Sequence, residues 1–274
     1  GRSASLLESI QARLMDSTNW LLSHPAMVAS VPGVLANTGS AHQKLCCLDP
    51  VLSYKLASAA NSPILVNVRA QGNSGLGLND QTLCQLADVY CYQTLVHTGS
   101  EWARRLLAEC RRSVEIAALC VVIARTIGGV DEEDAVLAGL FHNIGTVLLL
   151  EYAISRPDLQ GEETLLNELI AESGQVLGAW SLETRHCPEE LVNAVIDCRD
   201  VSRVPESPLC LTDILSLALL IDGAARRDPS LPKRLHDLPL LALLGDDFTP
   251  QTMLSMLQQA REQAVAWHTP APAN

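Results

Sequence analysis

Between Ala135 and Leu150 the chain carries no charged residue. The run is shorter than the roughly 20 apolar residues a helix needs to cross a bilayer, and His142-Asn143 interrupts it. So apolar a stretch has to be buried inside protein, and the rest of the chain must supply a core large enough to cover it. Its 274 residues are sufficient for that, and the material is aliphatic: 48% of residues are hydrophobic but only 4% aromatic. Leu and Ala favour helix, whereas a sheet would draw on more Val, Thr and aromatic residues. The balance also excludes wholesale disorder, which needs low hydrophobicity and high net charge.

Charge narrows the partners. Asp and Glu number 31 against 19 Lys and Arg, a net charge of −12 at pH 7. Such a field repels nucleic acid and anionic membrane surfaces. The pairs Arg104-Arg105 and Arg111-Arg112 are expected on a solvated helix face. The nine cysteines show no C-x-x-C spacing; Cys46 and Cys47 are adjacent and the others are scattered singly. That is the pattern of reduced thiols used as small hydrophobes in a cytoplasmic protein, and neither a structural metal nor a cofactor is expected. No signal-peptide pattern is seen at the N-terminus. The chain starts at Gly1 rather than Met, as a region excised from a longer protein would, so a sensor or receiver domain could lie upstream.

Apolar periodicity and capping residues predict an all-α fold. Helices are expected over 4–22, 51–60, 81–97, 101–127, 132–141, 144–154, 162–173, 175–184, 189–200 and 209–226, with a last one from Thr249-Pro250 to about Trp267. Asp49-Pro50 is a strong start, a side-chain cap followed by a residue pre-set for the first turn. Breaks are expected around Pro25 and Val31–Val34 and from Pro229 to Pro239. A loop is expected at 66–80, where Gly72, Gly75 and Gly77 fit no phosphate-binding fingerprint.

One local pattern stands out: Ala138-Gly139-Leu140-Phe141-His142-Asn143-Ile144-Gly145. It resembles the His-Asp step of the HD superfamily. Asp49-Pro50-x-Leu52 leading to Asn61-Ser62, then Gly178-Ala179 and Pro188 to Val195, resemble in order the motifs of the HDOD family, the HD-related output domains. The resemblance runs from about Pro25 to Arg226. In active HD proteins it implies His and Asp side chains binding a metal that activates water on a phosphoester.

The positions that should carry those ligands do not. Asn143 follows His142 where Asp is expected. Arg112-Ser113 stands on the long helix where a His could sit. Gly174 stands before Gly178, Cys198-Arg199 replaces a His pair, and Leu219 stands at the final Asp, with Asp222 one turn on. An amide is a poor ligand for a hard divalent ion, and His142 alone is retained. His142 is therefore expected to be a core imidazole bonded to backbone or to Asn143. The HD-GYP type of cyclic dinucleotide cleavage lacks its signature, since Thr146 stands at the Lys position and no Gly-Tyr-Pro occurs.

The resemblance implies a two-lobed helical module: an N-terminal lobe over 1–98, a degenerate HD-like core over 99–226, and C-terminal helices with a disordered tail over 227–274. It implies a non-catalytic bacterial signalling output or scaffold that contacts a protein partner such as a receiver, diguanylate cyclase or phosphodiesterase domain. The alternatives are a divergent metal-dependent phosphohydrolase using His142 with Asp197, Asp200 or Asp222, and a nucleotide sensor using the vestigial cleft.

Overall fold

A computed structural model describes residues 1–36, 48–62, 76 and 78–269. The described residues are helical, with one isolated bridge, Ser23 to Thr94, in place of a sheet. In chain order the helices are α1 (Arg2–Asp16), α2 (Pro25–Val28), α3 (Val31–Ala36), α4 (Pro50–Ala60), α5 (Asp80–Tyr90), α6 (Glu101–Ile127), α7 (Glu132–Phe141) and α8 (Ile144–Ile154). They continue with α9 (Glu163–Thr184), α10 (Glu189–Asp197), α11 (Leu211–Ala225), α12 (Pro239–Leu244) and α13 (Pro250–His268). The all-α expectation holds.

The helix starts follow the capping rules. Asp49 accepts from the backbone N–H of Leu52 at 3.1 Å ahead of Pro50. Ser100 caps α6 by accepting from Ala103 at 3.1 Å, and Asp131 caps α7 by accepting from Glu133 at 2.8 Å. Gly128 and Gly129, with φ of +78° and +83°, end α6 in a conformation other residues avoid.

Several boundaries differ from the sequence reading. The segments 162–173 and 175–184 form one helix, because Gly174 is a packing residue inside α9 and not its end. Helix α1 stops at Asp16 and α5 at Tyr90, since residues 21–23 and 93–95 pair with each other: Leu95 N–H donates to the Ser23 carbonyl at 3.0 Å. The breaks at Pro25 and Val31–Val34 are short helices, with each proline in a first turn where its missing N–H costs nothing. Pro239 likewise opens α12. Helix α10 ends at Asp197 and α11 begins at Leu211, both inside the expected spans. The glycines of the expected 66–80 loop, with Cys46 and Cys47, lie outside the described residues.

Helices α7 and α8 carry the uncharged run and are buried along almost their whole length. No single helix among the described residues is long and apolar enough to cross a membrane, and this pair bends by 43° at its break. Two close approaches hold the pair. A Cβ on Gly139 would lie 2.3 Å from Ala117 Cα of α6, and one on Gly145 would lie 1.7 Å from the Gly174 carbonyl oxygen of α9. Gly178 meets Gly145 on the same crossing.

The core also encloses charge. Lys55 of α4 is only 2% exposed. Its ammonium donates to the Leu21 carbonyl at 3.1 Å and to Gln93 Oε1 at 2.5 Å, and lies 4.6 Å from the centre of the Tyr90 ring. Glu151 of α8 accepts from Leu22 N–H at 3.3 Å, and Asp49 accepts from the Ser23 hydroxyl at 2.6 Å. Burial raises both carboxyls and lowers the lysine to about 8, the two acids pulling it back upward. The cluster therefore pins the extended segment 21–23 onto the helical core.

Two outcomes follow for equilibrium unfolding in urea. Gly145→Ala should destabilise by about 3 kcal/mol or more, because backbone and not a flexible side chain must yield; Gly99→Ala, with open space around it, should change stability by less than about 0.5 kcal/mol. Lys55→Met should cost roughly 3 kcal/mol, with Lys55→Met/Glu151→Gln recovering part of it. Without the ammonium the two carboxyls rise further, and a raised carboxyl contributes stability that is lost as pH climbs. The Lys55→Met loss should thus be larger at about pH 8 than at about pH 5.

Candidate functional site

The bend between α7 and α8 puts His142 and Asn143 where three other elements converge. His142 is 2% exposed. Its Nδ1 lies 2.6 Å from the Gly139 carbonyl oxygen, one turn back. A carbonyl can only accept, so Nδ1 carries the proton and the neutral ring presents a lone pair at Nε2. That nitrogen is buried and has no hydrogen-bond partner. Burial drives the imidazole pKa down to about 3; the bond to Gly139 opposes this, while Arg199 and Arg112 add to it. At neutral pH the ring is an uncharged acceptor.

Asn143 does not bond to His142. Its amide donates to the Glu109 carboxylate of α6, a short contact that ties the bend to the long helix. Of the pair expected at the first ligand position, Ser113 is buried and returns its hydroxyl to the Glu109 carbonyl at 3.0 Å. Arg112 is the one that reaches across to another helix. Its Nη2 donates to Asp222 Oδ2 of α11 at 3.3 Å, and its Nε is buried without a partner. The expectation of a solvated face for Arg112 is corrected: α11 packs over it. Asp222 is also held by Arg226 at 2.9 and 3.1 Å, and Arg226 reaches on to Glu115 at 2.8 Å.

Asp222 is thus the acid that Arg112 engages, while Leu219, one turn earlier, packs partly buried against the core. Gly174 leaves room for Thr146, whose Oγ1 would lie 3.4 Å from a Cβ there. Cys198 is buried beneath the end of α10, its thiol raised to about 11 by burial. Its carbonyl accepts from Ser216 at 3.0 Å, and Gln175 donates to the Val195 and Ile196 carbonyls beside it at 3.1 and 2.9 Å. Arg199 is exposed yet near enough to bear on His142. Asp197 is exposed, and Asp200 is engaged by Ser202 at 2.6 Å.

The remaining motif residues are scaffold. Asp49 and Pro50 open α4. The Asn61 amide donates to the Ala57 carbonyl at 3.1 Å and Ser62 N–H to Ala59 at 3.1 Å, closing the same helix. Gly139, Gly145 and Gly178 make the close helix crossings, and the Pro188 carbonyl starts α10 by accepting from Leu191 at 3.0 Å. Sequence reasoning missed Glu109, the Arg112–Asp222 pair and the Lys55–Glu151–Asp49 cluster. Each joins residues far apart in the chain, and only the placement of Asp222 at helical spacing from Leu219 hinted at one of them.

This set does not fit a divalent metal. A catalytic site of that kind takes about three protein ligands with an open position. Here the donors of suitable type reduce to His142 and Asp222, Asn143 offers its N–H to Glu109, and Arg199 and Arg112 weigh against a charged imidazole. Among the described residues no three His, Cys, Asp or Glu side chains stand together in a way that could hold a metal ion.

Comparison with known proteins bears on the family and the fold. The HDOD domain family matches residues 23–200. The chain superposes on a Shewanella amazonensis SB2B protein described as a "Putative metal-dependent phosphohydrolase", with a TM-score of 0.56 and 16% identity over 97% of this chain and 99% of that one. A second Shewanella amazonensis SB2B structure, described as a "Putative phosphohydrolase", gives a TM-score of 0.42 at 19% identity over 93% and 96%. The first likeness shows a shared fold. None of the curated proteins matches the chain.

The imidazole makes stability depend on pH in a defined direction. Its folded pKa of about 3 lies below the unfolded value of 6.5, so between these limits the unfolded chain binds the extra proton and stability falls as pH falls. Relative to His142→Gln, the protein should lose up to roughly 1 kcal/mol per pH unit below about pH 6.5. Urea unfolding across that range, compared between the two proteins, reads the difference.

Proposed function

The chain belongs to the HDOD domain family, and on that premise we propose that it is a non-catalytic output or scaffold module of a bacterial, cytoplasmic signalling pathway. It acts through protein–protein contacts, and its partner is a signalling protein carrying a receiver, diguanylate cyclase or phosphodiesterase domain. One observation carries the reading. The helices that would present a metal site are kept in register by Gly139, Gly145 and Gly178, while the chemistry at their meeting point is closed by Asn143–Glu109 and Arg112–Asp222. Retention of the scaffold without the ligands fits a role for its surface. Tyr92 and Val96, 71% and 85% exposed in the segment that follows α5, are the kind of apolar side chains such a contact uses.

A phosphohydrolase reading takes its support from the description of a fold neighbour at 16% identity, and fold alone does not carry an activity. Purified protein supplied with manganese, iron or nickel should show no turnover of bis(p-nitrophenyl) phosphate or of cyclic dinucleotides above the metal-only background. Turnover that disappears in His142→Ala would sink the scaffold reading.

A further inference from the structure

The segment after α5 is a strand paired on one side only. Ser23 N–H donates to the Gln93 carbonyl at 3.3 Å, and Leu95 N–H donates to the Ser23 carbonyl at 3.0 Å, which makes a parallel bridge between Ser23 and Thr94. In extended chain the backbone polar groups of successive residues point to opposite sides. The Gln93 carbonyl and the Leu95 N–H face Ser23, so the N–H and C=O of Thr94 face away from it. Neither bonds to any of the described residues. Side chains alternate too: Leu95 is buried and Gln93 turns in to accept from Lys55 at 2.5 Å, while Tyr92 and Val96 stand out in solvent. With Val89, also exposed on the last turn of α5, they concentrate large apolar side chains on this one stretch of surface.

A main-chain donor and acceptor side by side, flanked by exposed apolar groups, form a template for another strand. The charge around it selects what kind. Asp88, one turn before Tyr92, is exposed and makes no ion pair among the described residues, and the whole chain carries −12. A second copy would bring the same acid and the same net charge against this edge, whereas a basic segment is attracted to it. We propose that residues 92–96 are the docking edge for an extended, basic peptide segment of the signalling partner, which adds a strand beside Thr94. The peptide backbone pairs with the Thr94 N–H and C=O, its alternate apolar side chains lie along Tyr92 and Val96, and its basic side chains answer Asp88. Ser23 and Lys55 already hold this strand from the inner side, so little ordering is left for binding to impose. The proposal rests on the reading above that the module acts through protein contacts, and it names the surface and the chemistry of the partner.

The probe is a fluorescein-labelled octapeptide of alternating lysine and valine, read by fluorescence anisotropy. Two analogues are methylated on every valine nitrogen or on every lysine nitrogen. A paired strand turns only alternate N–H groups to the edge, so one analogue should lose at least tenfold in affinity and the other should keep it. Thr94→Pro removes the free N–H and leaves the groups that pair with Ser23 in place; it should weaken the unmethylated peptide by a similar factor, as should Tyr92→Ser/Val96→Ser. No binding, equal behaviour of the two analogues, or a folded Thr94→Pro that binds like wild type overturns the proposal, the second result meaning attraction to net charge alone. If Thr94→Pro does not fold, the two analogues decide on the wild-type protein. A wild-type dimer in sedimentation that Tyr92→Ser/Val96→Ser separates would assign the edge to a second copy and overturns it as well. Any of these without phosphoester turnover defeats this inference alone, whereas His142-dependent turnover defeats the scaffold reading itself.

Discussion

The backbone contact of Gly145 against Gly174 and Gly178 sets most of what surrounds it. No side chain separates α8 from α9 at that crossing, so the helices approach until main chain meets main chain. With the Gly139–Ala117 contact on the other side of the bend, the uncharged run is clamped between α6 and α9. Interiors this tight respond to a single added methyl group. The 43° bend then follows from having two fixed crossings on one apolar run, and the bend puts His142 at the junction. The imidazole helps to hold it, because its bond to the Gly139 carbonyl answers an acceptor at the end of α7 that no continuing turn would serve.

The second constraint is charge enclosed on the other side of the same helices. Glu151, in the last turns of α8, and Lys55, in α4, are drawn inward because the N-terminal segment arrives there without helical structure. Its buried backbone groups outside any helix, the Leu21 carbonyl and the Leu22 N–H, have to be paired by something. Lysine and glutamate do that work where a sheet partner would do it in another fold. Two acids and one base in one apolar region cannot all be ionised cheaply, which is why the acids rise while the base falls. The protein thus carries two buried polar centres, one at each end of α8, each joining elements distant in the chain.

Local rules wrote much of this into the sequence. Asp49-Pro50, Ser100, Asp131 and Thr249-Pro250 each open a helix, and Gly128-Gly129 ends one, because capping depends on a few adjacent atoms. The ordered motifs also placed the family correctly. What misled was glycine with two meanings: Gly174 reads as a terminator in sequence, yet in space it is the surface against which Gly145 packs. Proline misled in the same way at Val31–Val34, where a first-turn position made it harmless. The site was legible as a set of missing ligands. The residues that replace them were not, since Arg112 finds Asp222 and Asn143 finds Glu109 only after four helices have packed.

Those replacements explain why the site is a stable structure and not a defect. Exchanging the expected Asp for Asn143 removes a negative charge, and the amide gains a carboxylate partner in Glu109 that an acid would have repelled. Asp222 is answered in the same way, since Arg112 and Arg226 both donate to its carboxylate. Each pair ties α6 to another element, Glu109 to the bend through Asn143 and Arg112 to α11 through Asp222, so the polar groups add to the crosslinking that the glycine crossings begin.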